Sequence, residues 1–221
     1  MEMINSCYTV VPLLFAQQHD GALAGDIISM KNFRQAEIFL MIGNTLGQVG
    51  AITMKKGVSV SSCATALAFT RYFETGFVLE YDGASTDVSE DAGAAFTGSG
   101  GGAGVVYKDL GNKLIAYGYN GTTFVDNETI TFTTSGRTAL ANGIQKNEDI
   151  LVPRTAAANT FNVQNEINRL YCIPIKSDDL GDGYDCITIN VADLNMTDLA
   201  AWVVLHCPRY AGEIAETAIY D

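Results

Sequence analysis

Nucleophilic, acid–base or metal chemistry in this chain would have to be built from two histidines, five cysteines and 25 carboxylates. Their spacing assembles none of the three. His19 stands in the polar stretch Gln17-Gln18-His19-Asp20-Gly21, which reads as a turn and lacks a G-x-S-x-G elbow. His206 ends an apolar run, where a hydrogen-bonded, half-buried histidine is the expectation. His206 and Cys207 are the close His/Cys pair, but adjacent strand residues point to opposite faces and cannot share a metal. The acidic stretch from Asp178 to Asp185 lacks the alternating acidic order and distal Glu of a calcium loop. Its Asp and Gly content predicts a solvated turn instead. Gly98-Ser99-Gly100 begins a glycine tract, yet no βαβ unit surrounds it and no Walker Lys-Ser/Thr follows. No carboxylate pair is singled out by spacing. The sequence therefore predicts no catalytic residue, no cofactor site and no metal ligand, and a protein that is not an enzyme.

Cys7, Cys63, Cys172, Cys186 and Cys207 are odd in number and set among apolar neighbours. No basic stretch marks a secretory signal in Met1-Glu2-Met3-Ile4-Asn5. Reduced, space-filling thiols in a chain made in a host cytoplasm are expected.

The elements that would have to position any site are strands. Across 221 residues, 48% are apolar and 17% charged, enough for a sizeable core and far from a disordered composition. A net charge of −12 with 13 basic residues scattered along the chain excludes a phosphate-binding patch, so no nucleic acid partner is expected. No apolar run approaches the ~18–20 residues of a membrane helix. Low charge density suits extensive contact with neighbouring subunits.

Composition separates three blocks. Residues 1–81 alternate apolar runs with turns. The run Glu37 to Ile42 reads as a strand buried on both faces. Residues 82–157 open with an acidic stretch and the glycine tract 98–104, expected as a flexible loop. Asn120-Gly121 then predicts a type I′ hairpin, with Thr122 to Val125 and Thr129 to Thr133 as strands. Arg137 to Glu148 is the place for one short helix. Residues 158–221 return to strands, with Cys186 to Val191 in strict alternation and Leu199 to Leu205 buried. The fold expected is all-β, a β-sandwich or jelly-roll-like body of 1–81 and 158–221. An inserted, glycine-rich, loop-and-hairpin β region at 82–157 interrupts it.

Both outer blocks carry ordered phrases. They are Gly25-Asp26-Ile27-Ile28-Ser29-Met30-Lys31-Asn32, then Gly183-Tyr184-Asp185-Cys186-Ile187 with Val191-Ala192-Asp193, then Pro208-Arg209-Tyr210 with Ala218-Ile219. Together these resemble a family of small tailed-bacteriophage proteins encoded among head genes. Ile27 stands where the family has an aromatic residue, Cys207 where it usually has Gly, and the middle block is unmatched. The resemblance implies a structural virion protein, expected as a capsid decoration or cement protein on the capsid surface. Its expected partners are the major capsid protein and itself, as a trimer or other homo-oligomer on symmetric sites. A head–tail connector, tail or fibre-associated component is the alternative. A carbohydrate-binding attachment module is the third reading, with Tyr117, Tyr119 and Phe124 as the aromatics that could stack on sugar or pack across strands. Trp202 is expected in the core. Arg209 and Tyr210 are the interface candidates, being of the type enriched at hot spots.

Overall fold

The computed structural model describes residues 8–43, 49–82, 92–146, 150–164, 168–195 and 197–208. The chain is all-β, with a single 3-10 turn at Ser177–Leu180 and no α-helix among the described residues. It divides into two units: residues 1–73, 153–164 and 168–221, and residues 74–152 with 165–167.

In chain order the first strands are β1 (Tyr8–His19), β2 (Leu23–Ala24), β3 (Ile28–Ser29), β4 (Phe33–Ile42), β5 (Val49–Gly57), β6 (Thr65–Ala66) and β7 (Arg71–Thr75). Then come β8 (Phe77–Asp82), β9 (Ala95–Gly98), β10 (Ala103–Asp109), β11 (Lys113–Tyr117), β12 (Thr129–Phe132), β13 (Thr138–Ala141) and β14 (Leu151–Thr155). The last are β15 (Thr160–Gln164), β16 (Arg169–Lys176), β17 (Cys186–Val191) and β18 (Thr197–Pro208).

The first unit is a β-sandwich. One sheet runs β1-β18-β4-β16-β7-β14, and the other β15-β5-β17-β2 with β3 beside β17 and β6 beside β5. Strands β4 and β18 run antiparallel, with Phe39 facing Trp202 and Ile38 facing Val203. Period-two alternation sends Ile38, Leu40 and Ile42 of β4 and Ala201, Val203 and Leu205 of β18 inward, each at most 1% exposed. From the other sheet come Ile52, Met54, Ile187 and Ile189, all fully buried. Tyr72 stacks on Phe161 at 4.1 Å, and Phe161 leans on Tyr171 at 5.2 Å.

The second unit is a closed six-stranded barrel, β10-β11-β8-β13-β12-β9. Closure removes free edges, and in so small a barrel the interior is filled by side chains. Here Phe77, Phe96, Phe124, Phe132, Tyr81 and Tyr119 fill it, with ring centroids 5.5–6.5 Å apart. Contacts of this kind add about 0.5–1.5 kcal/mol per pair beyond area burial. Composition placed unit boundaries at 81/82 and 157/158; the contacts place them at Phe73/Glu74 and Val152/Pro153. Strand β8, which composition assigns to the first block, pairs with β11 and β13 of the barrel.

Four local expectations need correction. The glycine tract is an ordered hairpin turn between β9 and β10, closed by Gly98 N–H donating to Gly102 O at 2.7 Å. Small residues are needed because the tract lies against other groups: a Cβ on Gly98 would fall 2.0 Å from Glu128 Oε1, and one on Gly104 2.7 Å from the Phe77 and Phe96 rings. Asn120-Gly121 is a loop bend and not a hairpin turn. The Asn120 side chain is instead a clamp on the tract, accepting from Ala103 N–H at 3.1 Å and donating to Gly101 O at 2.8 Å. Residues 122–125 form no strand, and the segment proposed as a helix contains β13. The acidic expectation for 83–91 lies outside the described residues.

Candidate interaction surface

The two sheets of the sandwich differ on their outward faces. On the β15-β5-β17 sheet the outward positions include Asn162, Thr160, Thr53, Lys55 and Asn190, the polar face an antiparallel sheet shows to water, while Thr188 is covered and donates to Gly25 O at 2.6 Å. The outward face of the six-stranded sheet is apolar. Register places Pro12, Trp202, Phe39 and Cys172 in one row across β1, β18, β4 and β16. The next row is Val10, Val204, Glu37 and Pro174, and on the other side Ala200, Met41 and Leu170 stand together. Tyr8, Val10 and Met41 are 53%, 56% and 49% exposed. Trp202 and Phe39 are half-buried and stacked at 5.6 Å with ring planes 12° apart.

Charge lies around the apolar rows: Asp198 at one end, Arg71 against Phe73 on β7, and a polar cluster at the Pro208 end of β18. There the rows read Tyr8, His206, Gln35 and Lys176, and His206 Nε2 lies 3.2 Å from Glu37 Oε2. At the other end a depression of about 370 Å³ is lined by Ala16, Met41 and Ala200, with Gln17, Asn168 and Asp198 at its polar margin. An apolar centre with a polar rim is the composition of a protein-binding surface.

Two expectations change here. Trp202 is not in the core, and the Glu37 to Ile42 run is not buried on both faces, since Met41 is exposed. A continuous apolar run in an antiparallel sheet has a second explanation: one face packs the core and the other awaits a partner. Runs such as Leu199 to Leu205 carried that signal. Strand β1, apolar from Tyr8 to Phe15 apart from Thr9, carried it too.

The residues screened for chemistry sit apart. His19 ends β1 instead of lying in a turn, and its Nε2 is buried without a hydrogen-bond partner. The segment Asp178 to Asp185 begins as the 3-10 turn: Asp179 Oδ2 accepts from Lys176 N–H at 2.8 Å, and Leu180 is buried. Lys56 Nζ donates to Leu180 O at 2.5 Å and lies 4.5 Å from the centre of the Tyr184 ring. Among the described residues no three or more His, Cys, Asp or Glu are grouped to hold a metal. Tyr119 and Phe124 are inside the barrel, 7% and 0% exposed, and therefore cannot stack on a sugar. Arg209 and Tyr210 lie outside the described residues, as does Cys7.

The four described cysteines are free. Burial pushes the Cys172 thiol up to about 12, helped by the Glu37 charge. Burial does the same to Cys186, with the Asp185 carboxylate accepting from its Sγ at 3.1 Å, again to about 12. Cys63 rises by burial to about 11 although Lys55 opposes it. These groups hold their protons in the folded state at pH values where an unfolded thiol loses them. Their contribution is complete below about pH 9 and is lost as pH rises toward the folded values. Stability is thus expected to fall between about pH 9 and 12, and thiol reagent at pH 8 to label Cys207 before these three. Denaturation midpoints across pH and peptide mapping of the label check both; rapid labelling of Cys172 in the native state would contradict them.

The backbone at Cys207 is left-handed. Its φ is +53°, the left-handed region that costs a side-chain-bearing residue about 1–2 kcal/mol and that Gly enters freely. Cys207→Gly is expected to stabilise the sandwich by about 1 kcal/mol, raising Tm by about 2–4 °C. An unchanged or lower Tm would contradict that.

Fold and face together define a two-unit, all-β protein with one apolar sheet face. No family model and no curated protein matches the chain. Among solved structures, a chain in the structure of infectious bursal disease virus Gx strain aligns over 91% of this chain and 40% of its own length. Identity is 8% and the TM-score 0.09, which carries no argument about fold.

Proposed function

We propose that this chain is a structural, non-enzymatic virion protein of a tailed bacteriophage, a decoration or cement protein that binds the major capsid lattice as a homo-oligomer. The observation that carries the reading is the apolar outward face of the six-stranded sheet, centred on Trp202, Phe39 and Met41. A monomer in water gains nothing from such a face, whereas a lattice-binding protein buries it. The ordered phrases of the outer blocks, which resemble tailed-phage head proteins, supply the identity of the lattice.

The test is cosedimentation of the purified chain with heads that lack it. Saturable binding at a fixed ratio to the major capsid protein is expected. Absence of binding to expanded heads at micromolar concentration would overturn the reading.

A further inference from the structure

We propose that two copies of this chain pair edge to edge through residues 8–12 of β1, antiparallel about a twofold axis at Val10. This deepens the homo-oligomer part of the proposed function, and rests on it.

Strand β1 ends the order of its sheet, so among the described residues no strand occupies its outer edge. Pro12 stands opposite Trp202 and has no N–H. A proline is accommodated in an antiparallel ladder where its nitrogen faces away from the neighbouring strand. The main-chain groups of Tyr8, Val10 and Pro12 therefore face the free edge, while those of Thr9 and Val11 face β18. The free segment stops at Leu13. There the register with β18 slips, and Leu13 O accepts from Asp26 N–H at 2.9 Å. A bulge of this kind, like the proline, limits an edge instead of leaving it open along its whole length.

What remains is Tyr8-Thr9-Val10-Val11-Pro12, a segment with no charged side chain. Its occupant is a second copy for two reasons. First, each copy carries a net charge of −12, so two copies approach closely only where charge is absent, and a basic strand would find no carboxylate on residues 8–12 to pair with. Second, the segment is self-complementary. About a twofold at Val10, each Val10 N–H donates to the other Val10 carbonyl, and each Tyr8 N–H donates to the Pro12 carbonyl of the other copy. Proline's missing donor is then its only lost bond. The outward side chains meet as Val10 on Val10 and Tyr8 on Pro12, and the apolar rows ending at Val10 and Pro12 continue from one copy into the other. The product is a dimer with a doubled docking face.

Sedimentation of the purified full chain over a concentration series tests this. Wild type is expected to dimerise. Val10→Lys sets two ammonium groups against each other on the axis, and is expected to raise the dissociation constant at least about a hundredfold. Val10 is exposed, so the fold should survive, as a melting curve would show. An equimolar mixture of Val10→Lys and Val10→Glu chains is expected to restore the dimer, because residue 10 meets itself only in this register. A wild type that stays monomeric, a Val10→Lys chain that still dimerises, or a mixture that fails to re-pair would each overturn the proposal. A dimer in solution whose chain is absent from virions would overturn the virion reading and leave the pairing standing.

Discussion

Met41→Glu is expected to weaken binding to capsid heads by at least about a hundredfold while shifting the melting temperature by no more than about 2 °C. The asymmetry follows from where Met41 stands. Its side chain is half exposed on the outward face, between Ala200 and Leu170, so a carboxylate there stays hydrated in the free protein. In the bound state it would be desolvated among apolar neighbours without a partner, which costs several kcal/mol. Trp202→Ala is the companion variant. Trp is the residue most enriched among hot spots, and its truncation is expected to remove about 2–4 kcal/mol of binding. Because Trp202 also stacks on Phe39, that change should lower stability as well, which is why Met41→Glu is the cleaner probe. Cosedimentation and calorimetric melting of the same preparations measure the two effects. Full binding by Met41→Glu would show that the sheet face is not the docking surface.

The second large effect belongs to the barrel. Glu128→Ala is expected to destabilise the second unit by about 1.5–3 kcal/mol, the range of a hydrogen bond to a charged group. The Glu128 carboxylate, on a residue only 6% exposed, accepts from Gly100 N–H at 2.6 Å through Oε1 and from Val125 N–H at 3.0 Å through Oε2. One side chain thus ties the glycine turn to the loop that carries Phe124 into the barrel core. Removing it takes the shared acceptor from both donors, which then turn to water, and leaves a space beneath Gly98 and Gly100. Glu128→Gln keeps one acceptor and turns an amide toward the other donor, so an intermediate loss is expected. Amide hydrogen exchange can assign the effect to a unit. Amides of residues 92–146 should lose protection while those of β4, β16 and β18 keep it. Unchanged protection in Glu128→Ala would show the carboxylate to be dispensable.

The sandwich was legible because its strands follow one rule. Alternation in Cys186 to Val191 and apolar runs in Ile38 to Ile42 and Leu199 to Leu205 place strands where β17, β4 and β18 occur. The barrel was harder to read because its order depends on contacts distant in sequence. Composition alone makes Gly98 to Gly104 a flexible tract, yet Glu128 and Asn120 supply the hydrogen bonds that hold it. Asn120-Gly121 has hairpin chemistry, but Asn120 is used as a tether and the chain from 122 to 125 goes on to insert Phe124 in the core. The apolar outward face was visible only indirectly. A fully apolar run does not state which of its faces meets the core, and only the register of β1, β18, β4 and β16 shows that Pro12, Trp202, Phe39 and Cys172 share the outward one. Arg209 and Tyr210 lie outside the described residues.

Occupancy of a capsid lattice is measured most directly by the copy number of this chain in purified virions. Quantitative mass spectrometry against the major capsid protein should give on the order of hundreds of copies per particle, in a simple ratio to the capsid subunit. About a dozen copies, the multiplicity of a ring rather than a lattice, or no copies at all, would contradict it.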